Sequence, residues 1–395
     1  MCSRCGSTYL FQILRCTAVE LIKKIPAKMT VTNETNRLMR IFLPSTRDLC
    51  CIFDSFMQNA PYILAIESSC DDTSAAVLIG NKVLSNEVAS QGVHEAFGGV
   101  VPELASRAHQ QHIVPVVDRA LKVANIKPHE LHAIAFTNGP GLLGSLLVGT
   151  SFAKSMALAL NIPLIPVHHM HAHVLAHLID GAHETPISFP FLCLTVSGGH
   201  TQIVEVQSVN SMTVLGETID DAVGEAFDKA AKILGLPYPG GPHIDRLAKL
   251  GNPTFMSFNK SDLPDYNYSF SGMKTSFLYA LQKEMKRNPN FIKDHLNDIC
   301  ASYQSALIKV LMKKVEAAQK FTNISNFAIA GGVSANTGLR AALTVWGAKN
   351  DIAIYLPPFQ YTTDNAAMIG VAGYYQYLDG VNAPLSTSAQ AKIKF

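Results

Sequence analysis

Residues 62–79 read YILAIESSCDDTSAAVLI, and residues 191–206 read FLCLTVSGGHTQIVEV. Each stretch is a short apolar run, a small polar turn and a second short run. In the first, Tyr62–Ile66 and Ser74–Ile79 flank Glu67–Thr73; in the second, Phe191–Val196 and Thr201–Val206 flank Ser197–His200. Apolar runs this short, bounded by turn residues, read as buried strands rather than helices. The same unit occurring twice, about 130 residues apart, points to an internal duplication.

Outward from these units the chain alternates. In the first half, helical periodicity over 101–123 and 142–160 is interleaved with strands at 133–136 and 164–167. In the second, helices at 222–234, 301–319 and 337–346 accompany strands at 327–330 and 352–355. Alternation of this kind means α/β layers. A stretch rich in Gly, Pro, Ser and His, Gly181–Pro190, reads as the hinge, which predicts lobes over 61–185 and 186–395. Hairpin turns made of Gly, Ser and Asp offer free backbone N–H groups to phosphate oxygens. Two such turns facing each other across a cleft follow the logic of the actin-like (ASKHA, ribonuclease H-like) architecture.

Composition removes other classes. Of 395 residues, 48% are hydrophobic and 16% charged, which excludes an intrinsically disordered chain. The length allows two sizeable cores, so no disulfide framework is needed. The apolar stretch Leu142–Val167 is broken by Lys154, Gly, Ser and Pro; it reads as a buried helix and a strand, with no membrane insertion. The net charge of +2 hides two unlike parts. Residues 1–60 carry eight basic and four acidic side chains, which leaves 24 and 26 for the body. An Arg-containing, acid-poor leader with apolar residues such as Leu10, Phe11 and Ile13 resembles an organelle transit segment, here mitochondrial and directed to the matrix. Met29 is an alternative start. Cys70, Cys193 and Cys300 are the body's only cysteines and fit a reducing compartment.

Gly139-Pro-Gly141-Leu-Leu-Gly144 matches the dinucleotide pattern G-x-G-x-x-G. No acidic residue follows until Asp180, whereas a dinucleotide fold expects one about 20 residues on. The motif therefore reads as a turn in which Pro140 and Gly141 start a helix.

His168, His169, His171, His173 and His177 crowd into ten residues directly after a strand. On a helix, His169 and His173 share a face and can grip one metal ion; His173 and His177 repeat that spacing, so the pairing stays open. Met170 follows His169, so the H-E-x-x-H arrangement of zincin proteases is missing. An oxygen donor must complete the set. Asp364, in a polar turn that opens an apolar helix, is the best candidate, with a helix N-cap as the equal alternative.

The second half holds Asp220–Lys229, with Gly224 and Asp228 one helical turn apart. It also holds Tyr238-Pro-Gly-Gly-Pro242 and, after a strand, Ala330-Gly-Gly-Val-Ser-Ala-Asn336. Together with Ser197-Gly-Gly-His200 these form a nucleotide pocket in which backbone approaches the ligand closely.

Taken in order, ESSCDDTSAAV, HEAFGGVVPELASRAH, NGPGLLGSLLVG, VHHMHAH, VSGGHTQ, DDAVGEAFDKAAKILGLPYPGGP, YSFSGMKT, IAGGVSAN and TTDNAAM resemble the tRNA N6-adenosine threonylcarbamoyltransferases, once described as O-sialoglycoprotein endopeptidases. The resemblance covers residues 62 to about 375 and is closest to the bacterial and organellar branch. It implies transfer of threonylcarbamoyl from threonylcarbamoyl-AMP to N6 of adenosine 37 in mitochondrial tRNAs that read codons beginning with A. It also implies one divalent ion, zinc or iron, per subunit of a homodimer. His169, His173 and Asp364 match its metal ligands. Thr195, Val196, Ser197, Gly198, Gly199, Asp228, Gly241, Asp245 and Asn336 match positions that contact the nucleotide substrate. His171 stands where many members have Glu. No general base is fixed; His168, His171 and Glu67 are candidates. For tRNA, the stretch 274–320, with nine basic and four acidic residues, is a possible phosphate-tracking face. A glycoprotein metalloendopeptidase and a non-catalytic nucleotide-binding regulator of the same fold are the alternatives.

Overall fold

The computed structural model describes residues 60–258 and 263–395, with the side chains of residues 93, 95 and 96 excepted. The leader reading falls on 1–60 and so lies outside the described residues, save Ala60 itself.

Two five-stranded sheets carry the fold. In the first, β1 (Tyr62–Glu67), β2 (Thr73–Ile79), β3 (Lys82–Ala89), β4 (Ala133–Gly139) and β5 (Leu164–His168) lie in the order β3-β2-β1-β4-β5. In the second, β6 (Phe191–Val196), β7 (Thr201–Ser208), β8 (Ser211–Glu217), β9 (Asn326–Ala330) and β10 (Ala353–Tyr355) lie in the order β10-β9-β6-β7-β8. In each sheet the first three strands form an antiparallel meander, and the last two join parallel to the opening strand. The duplication read from the opening hairpins thus extends to the whole strand order. The sequence reading lacks β3 and β8. Both are outer strands with mixed polar and apolar residues, KVLSNEVA and SMTVLGE, and so carry no continuous apolar signal.

Helices α1 (Pro102–Ala124) and α2 (Leu143–Leu160) cover the outer face of the first sheet. The second helix begins at Leu143, two residues beyond Gly141, because Leu142 takes the N-cap position. Only one of its faces is buried, through Ser145, Leu146, Gly149, Thr150, Ala153 and Ala157; Leu143, Leu147 and Leu158 are exposed. This is the one helix among the described residues long and apolar enough to cross a bilayer. Here it packs on β4 and α1. Helices α4 (Val223–Ile233), α5 (Gly240–Ala248), α6 (Ser271–Met285), α7 (Leu296–Thr322) and α8 (Thr337–Asn350) accompany the second sheet.

A third core joins the inner faces of both sheets through α3 (His169–Leu175) and α9 (Ala366–Leu378). Although α9 comes from the far end of the chain, it lies on β1, β2 and β4 of the first sheet. Its opening N–H groups have no intrahelical partner. Ala366 donates to Ser74 Oγ at 2.9 Å and Ala367 to Asn86 Oδ1 at 3.2 Å, so two side chains of the first sheet hold the helix start. A division at residue 185 in chain order therefore assigns α9 to the second lobe, whereas the helix packs on the first sheet.

Candidate active site

In both sheets the parallel strands end at the same edge, which is where open α/β sheets bind ligands. From the first sheet come Glu67 (end of β1), Gly139 (end of β4) and His168 (end of β5); from the second come Val196 and Ala330. The chain turns from β5 straight into α3, so His169 and His173 occupy its first two turns.

His169 and His173 lie with ring centroids 4.7 Å apart and planes nearly perpendicular. Asp364 Oδ1 is 3.1 Å from His173 Nε2 and 3.5 Å from His169 Nε2, and one donor atom from each residue falls within 4.8 Å of the others. His177 takes no part. Its Nε2 donates to the Ile329 carbonyl at 2.9 Å and its Nδ1 meets His183 at 2.8 Å, which settles which histidine pair is usable. The N-cap alternative for Asp364 is also resolved: Asn365 caps α9 by accepting from Met368 N at 3.1 Å, so the neighbouring carboxylate is left for the histidines.

Glu67 is buried at the end of β1, directly behind His169. It accepts from Ser69 N and from Thr137 Oγ1 (2.6 Å), and His169 Nδ1 lies 3.1 Å from its Oε2. This carboxylate fixes the His169 tautomer with Nδ1 protonated and Nε2 turned toward Asp364, the arrangement that orients metal-binding imidazoles. Burial alone would depress the His169 imidazolium, but the Glu67 and Asp364 carboxylates outweigh it and lift it to about 9. Burial would raise Glu67 and Asp364; His169 beside each prevails, and both stay below the ordinary carboxylate range. So much opposed charge, with both imidazoles buried and Asp364 partly open to the cleft, suits a cation. Two imidazoles and one carboxylate fit zinc or iron and leave a coordination position open. The signal for Glu67 was available in the sequence: an acid at the inner end of an apolar strand needs a partner.

His200, in the turn between β6 and β7, faces this triad across the cleft; burial and then the charges of His169 and His173 push it down to about 4. In the same turn Gly198 and Gly199 are exposed, while Thr195 and Val196 are buried within β6. Ser197 Oγ accepts from the backbone N–H of Gly199 and His200. Gly331 follows β9 with φ of 87°, and a Cβ there would fall 2.4 Å from the Val196 carbonyl, so only glycine lets these two turns pack together. Asp228 Oδ1 accepts from Gly240 N at 2.7 Å and so binds α4 to the turn that carries Gly241. Asp245 accepts from Thr337 N and Oγ1. Asn336 caps α8 through Leu339 N and donates to Gln304 Oε1 at 2.7 Å. Asp228, Asp245 and Asn336 thus join the helices around the pocket to one another. On the first-lobe loop, burial and then Asp71 push Asp72 up to about 7. Tyr238, from the opposite lobe, is raised to about 12 by burial, Asp228 and Asp71, so the two loops face each other.

The family profile described as tRNA N6-adenosine threonylcarbamoyltransferase matches residues 82–371, a span that holds His169, His173 and Asp364 and the glycine turns of the second lobe. The chain belongs to that family. A threonylcarbamoyltransferase of that name from Christiangramia forsetii is 59% identical over 337 residues, covering 84% of this chain and 98% of the relative. One from Porphyromonas gingivalis is 55% identical over 339 residues, covering 85% and 99%, and one from Thermosipho africanus 46% over 337, covering 84% and 99%. Among solved structures, full-length HypF in the phosphate- and nucleotide-bound form has a TM-score of 0.55 at 13% identity over 81% of this chain and 47% of that one. HypF of T. kodakarensis has a TM-score of 0.52 at 13% identity over 81% and 48%. At such identity the likeness shows the fold alone: two lobes of the actin-like class. This threonylcarbamoyltransferase-family chain is thus an enzyme built on that fold. Of the general-base candidates, Glu67 and His168 are already engaged. Glu67 takes three donors, and His168 Nδ1 accepts from Met170 N and His171 N as the N-cap of α3.

Proposed function

We propose that the protein transfers the threonylcarbamoyl group of threonylcarbamoyl-AMP to N6 of adenosine 37 in mitochondrial tRNAs that read codons beginning with A. It acts as a homodimer in the matrix, with the leader as its transit segment. The observation that supports this reading most is the intact His169–His173–Asp364 triad opposite the glycine turns of the second lobe, in a chain 59% identical to an enzyme of that name.

In the reaction an N–C bond forms at the adenine amine, the bond from the carbonyl carbon to the phosphate oxygen breaks, AMP leaves and the amine loses a proton. Gly198 and Gly199, exposed and with open space where a Cβ would stand, suit the phosphate oxygens, and Gly241 lets the nucleoside approach the chain closely. A divalent ion bound by His169, His173 and Asp364 would act as a Lewis acid on the acyl phosphate. Glu67 holds the His169 ring in register for that task. An exocyclic adenine amine is a weak nucleophile, so orientation across the cleft supplies much of the rate.

The test is mass spectrometry of tRNA nucleosides after incubation with threonine, bicarbonate, ATP and the companion synthase. The wild-type chain is expected to form N6-threonylcarbamoyladenosine, and His169→Ala and Asp364→Ala to form none. Full activity after metal removal would overturn the proposed role of the triad. Unmodified tRNA with intact nucleotide binding would instead favour a non-catalytic regulator, and peptide release from a glycoprotein a protease. Sedimentation tests the dimer, and import of a reporter fused to residues 1–60 tests the leader.

A further inference from the structure

The NGPG turn singled out in the sequence has no part in the transfer as described, yet it is built for close contact. Gly139 has φ of 147°, and a Cβ there would fall 1.9 Å from the carbonyl oxygen of Gln390. What it admits is the segment beyond α9. Ala383 N donates to the Leu164 carbonyl at 2.8 Å, and Asn382 Oδ1 accepts from Leu164 N, alongside the edge strand β5. Further on, Gln390 N donates to the Asn138 carbonyl at 2.8 Å and Gly141 N to the Ala391 carbonyl at 3.2 Å. Ile393 Cδ1 then lies 3.1 Å from the Gly139 Cβ position. The segment crosses the ends of β4 and β5 and reaches the start of α3. There the Phe395 ring meets His171 at 4.5 Å and His168 at 5.8 Å between centroids, and the two imidazoles lie 4.4 Å apart.

This contact falls on the cap of the ligand helix. His168 Nδ1 accepts from Met170 N and His171 N, so the angle of its ring sets where α3 begins and hence where His169 and His173 point. With seven residues, α3 is too short to hold its own geometry. We infer that residues 390–395 are a strap, seated on the NGPG turn, whose Phe395 clamps the histidine cap and so acts as a positioning residue for the metal-binding pair. The inference rests on the metal reading of the triad.

The experiment loads the full chain with zinc and follows its loss to a chromophoric chelator. Phe395→Ala is expected to lose zinc about tenfold faster than wild type, the size of effect seen when groups that orient ligands are removed. Phe395→Tyr, which keeps the ring, is expected to match wild type. Ile393→Ala loosens the seat while sparing the ring, and is expected to fall between the two. Nucleotide binding by the second lobe and the thermal midpoint serve as fold controls. Wild-type release rates from a folded Phe395→Ala chain overturn the strap, and so does Phe395→Tyr behaving like Phe395→Ala. A wild-type chain that retains no zinc overturns the triad reading together with the strap. Failure of the tRNA assay with zinc retained leaves the strap standing and removes only the proposed reaction.

Discussion

His169 shows how one imidazole is given two tasks. Its Nδ1 side is committed to Glu67 and Ser69, its Nε2 side to Asp364. Replacing Glu67 by Gln keeps the shape but removes the charge, and is expected to weaken zinc binding by about 10–100-fold, measured by chelator competition. The pH dependence follows from the same contacts. His169 sits above its ordinary value of 6.5, at about 9, so without metal its ion pairs stabilise the fold fully below about 6.5 and are lost as the pH rises through about 9. Glu67 and Asp364 sit low, so their contribution is present above the ordinary carboxylate range and is lost only as the pH falls through their depressed values. Zinc must displace the His169 proton, so its apparent affinity is expected to rise about tenfold per pH unit up to about 9. A flat profile between about pH 7 and about pH 9 would show that His169 is already neutral. The histidine crowding made the ligands legible in the sequence. Spacing alone left open which two of the five meet Asp364, because His169–His173 and His173–His177 are spaced alike; the family motif pointed to His169 and His173, and the geometry brings those two together.

At the level of elements, α9 is the case in which sequence order misleads. An apolar helix late in the chain reads as part of the second lobe, since periodicity says that a helix is buried and not against what. Hydrogen bonds to Ser74 and Asn86, and packing on β1, β2 and β4, put it on the first sheet. The adjacent residues then divide the work: Asp364 faces His169 and His173, and Asn365 caps the helix. Asn365→Ala is expected to cost about 1 kcal/mol in chemical denaturation, the usual price of a lost N-cap. Because Asp364 directly precedes this cap, its position depends on the helix start, and zinc retention is expected to fall with the cap. An unchanged denaturation midpoint would mean that the bonds to the first sheet suffice. The hairpins β1–β2 and β6–β7 were plain in the sequence because both strands of each are buried. The outer strands β3 and β8 were not, since their partly exposed faces accept polar residues.

Across the whole molecule, the basic stretch 274–320 is folded onto α6 and α7, and the structure edits it. Lys314 turns inward, donating to the carbonyls of Leu263 and Asp265, whereas Lys274, Lys283, Lys286, Arg287, Lys293, Lys309, Lys313 and Lys320 are exposed. If this face tracks tRNA phosphates, Lys283→Ala with Lys286→Ala is expected to reduce the log–log salt slope of tRNA binding by about two, one per charge; an unchanged slope moves the footprint elsewhere. By itself the sequence determined the α/β class, the duplication, the histidine cluster and the family. Each of these is written in local composition and spacing, where burial of a strand or the face of a helix is settled within a few residues. Only the tertiary structure decided that Glu67 orients His169, that Asn365 and not Asp364 caps α9, that α9 belongs to the first sheet, and that residues 390–395 lie on the NGPG turn. These pairings join residues up to about 290 positions apart, and nothing local distinguishes a buried polar group that serves a ligand from one that only satisfies its neighbours.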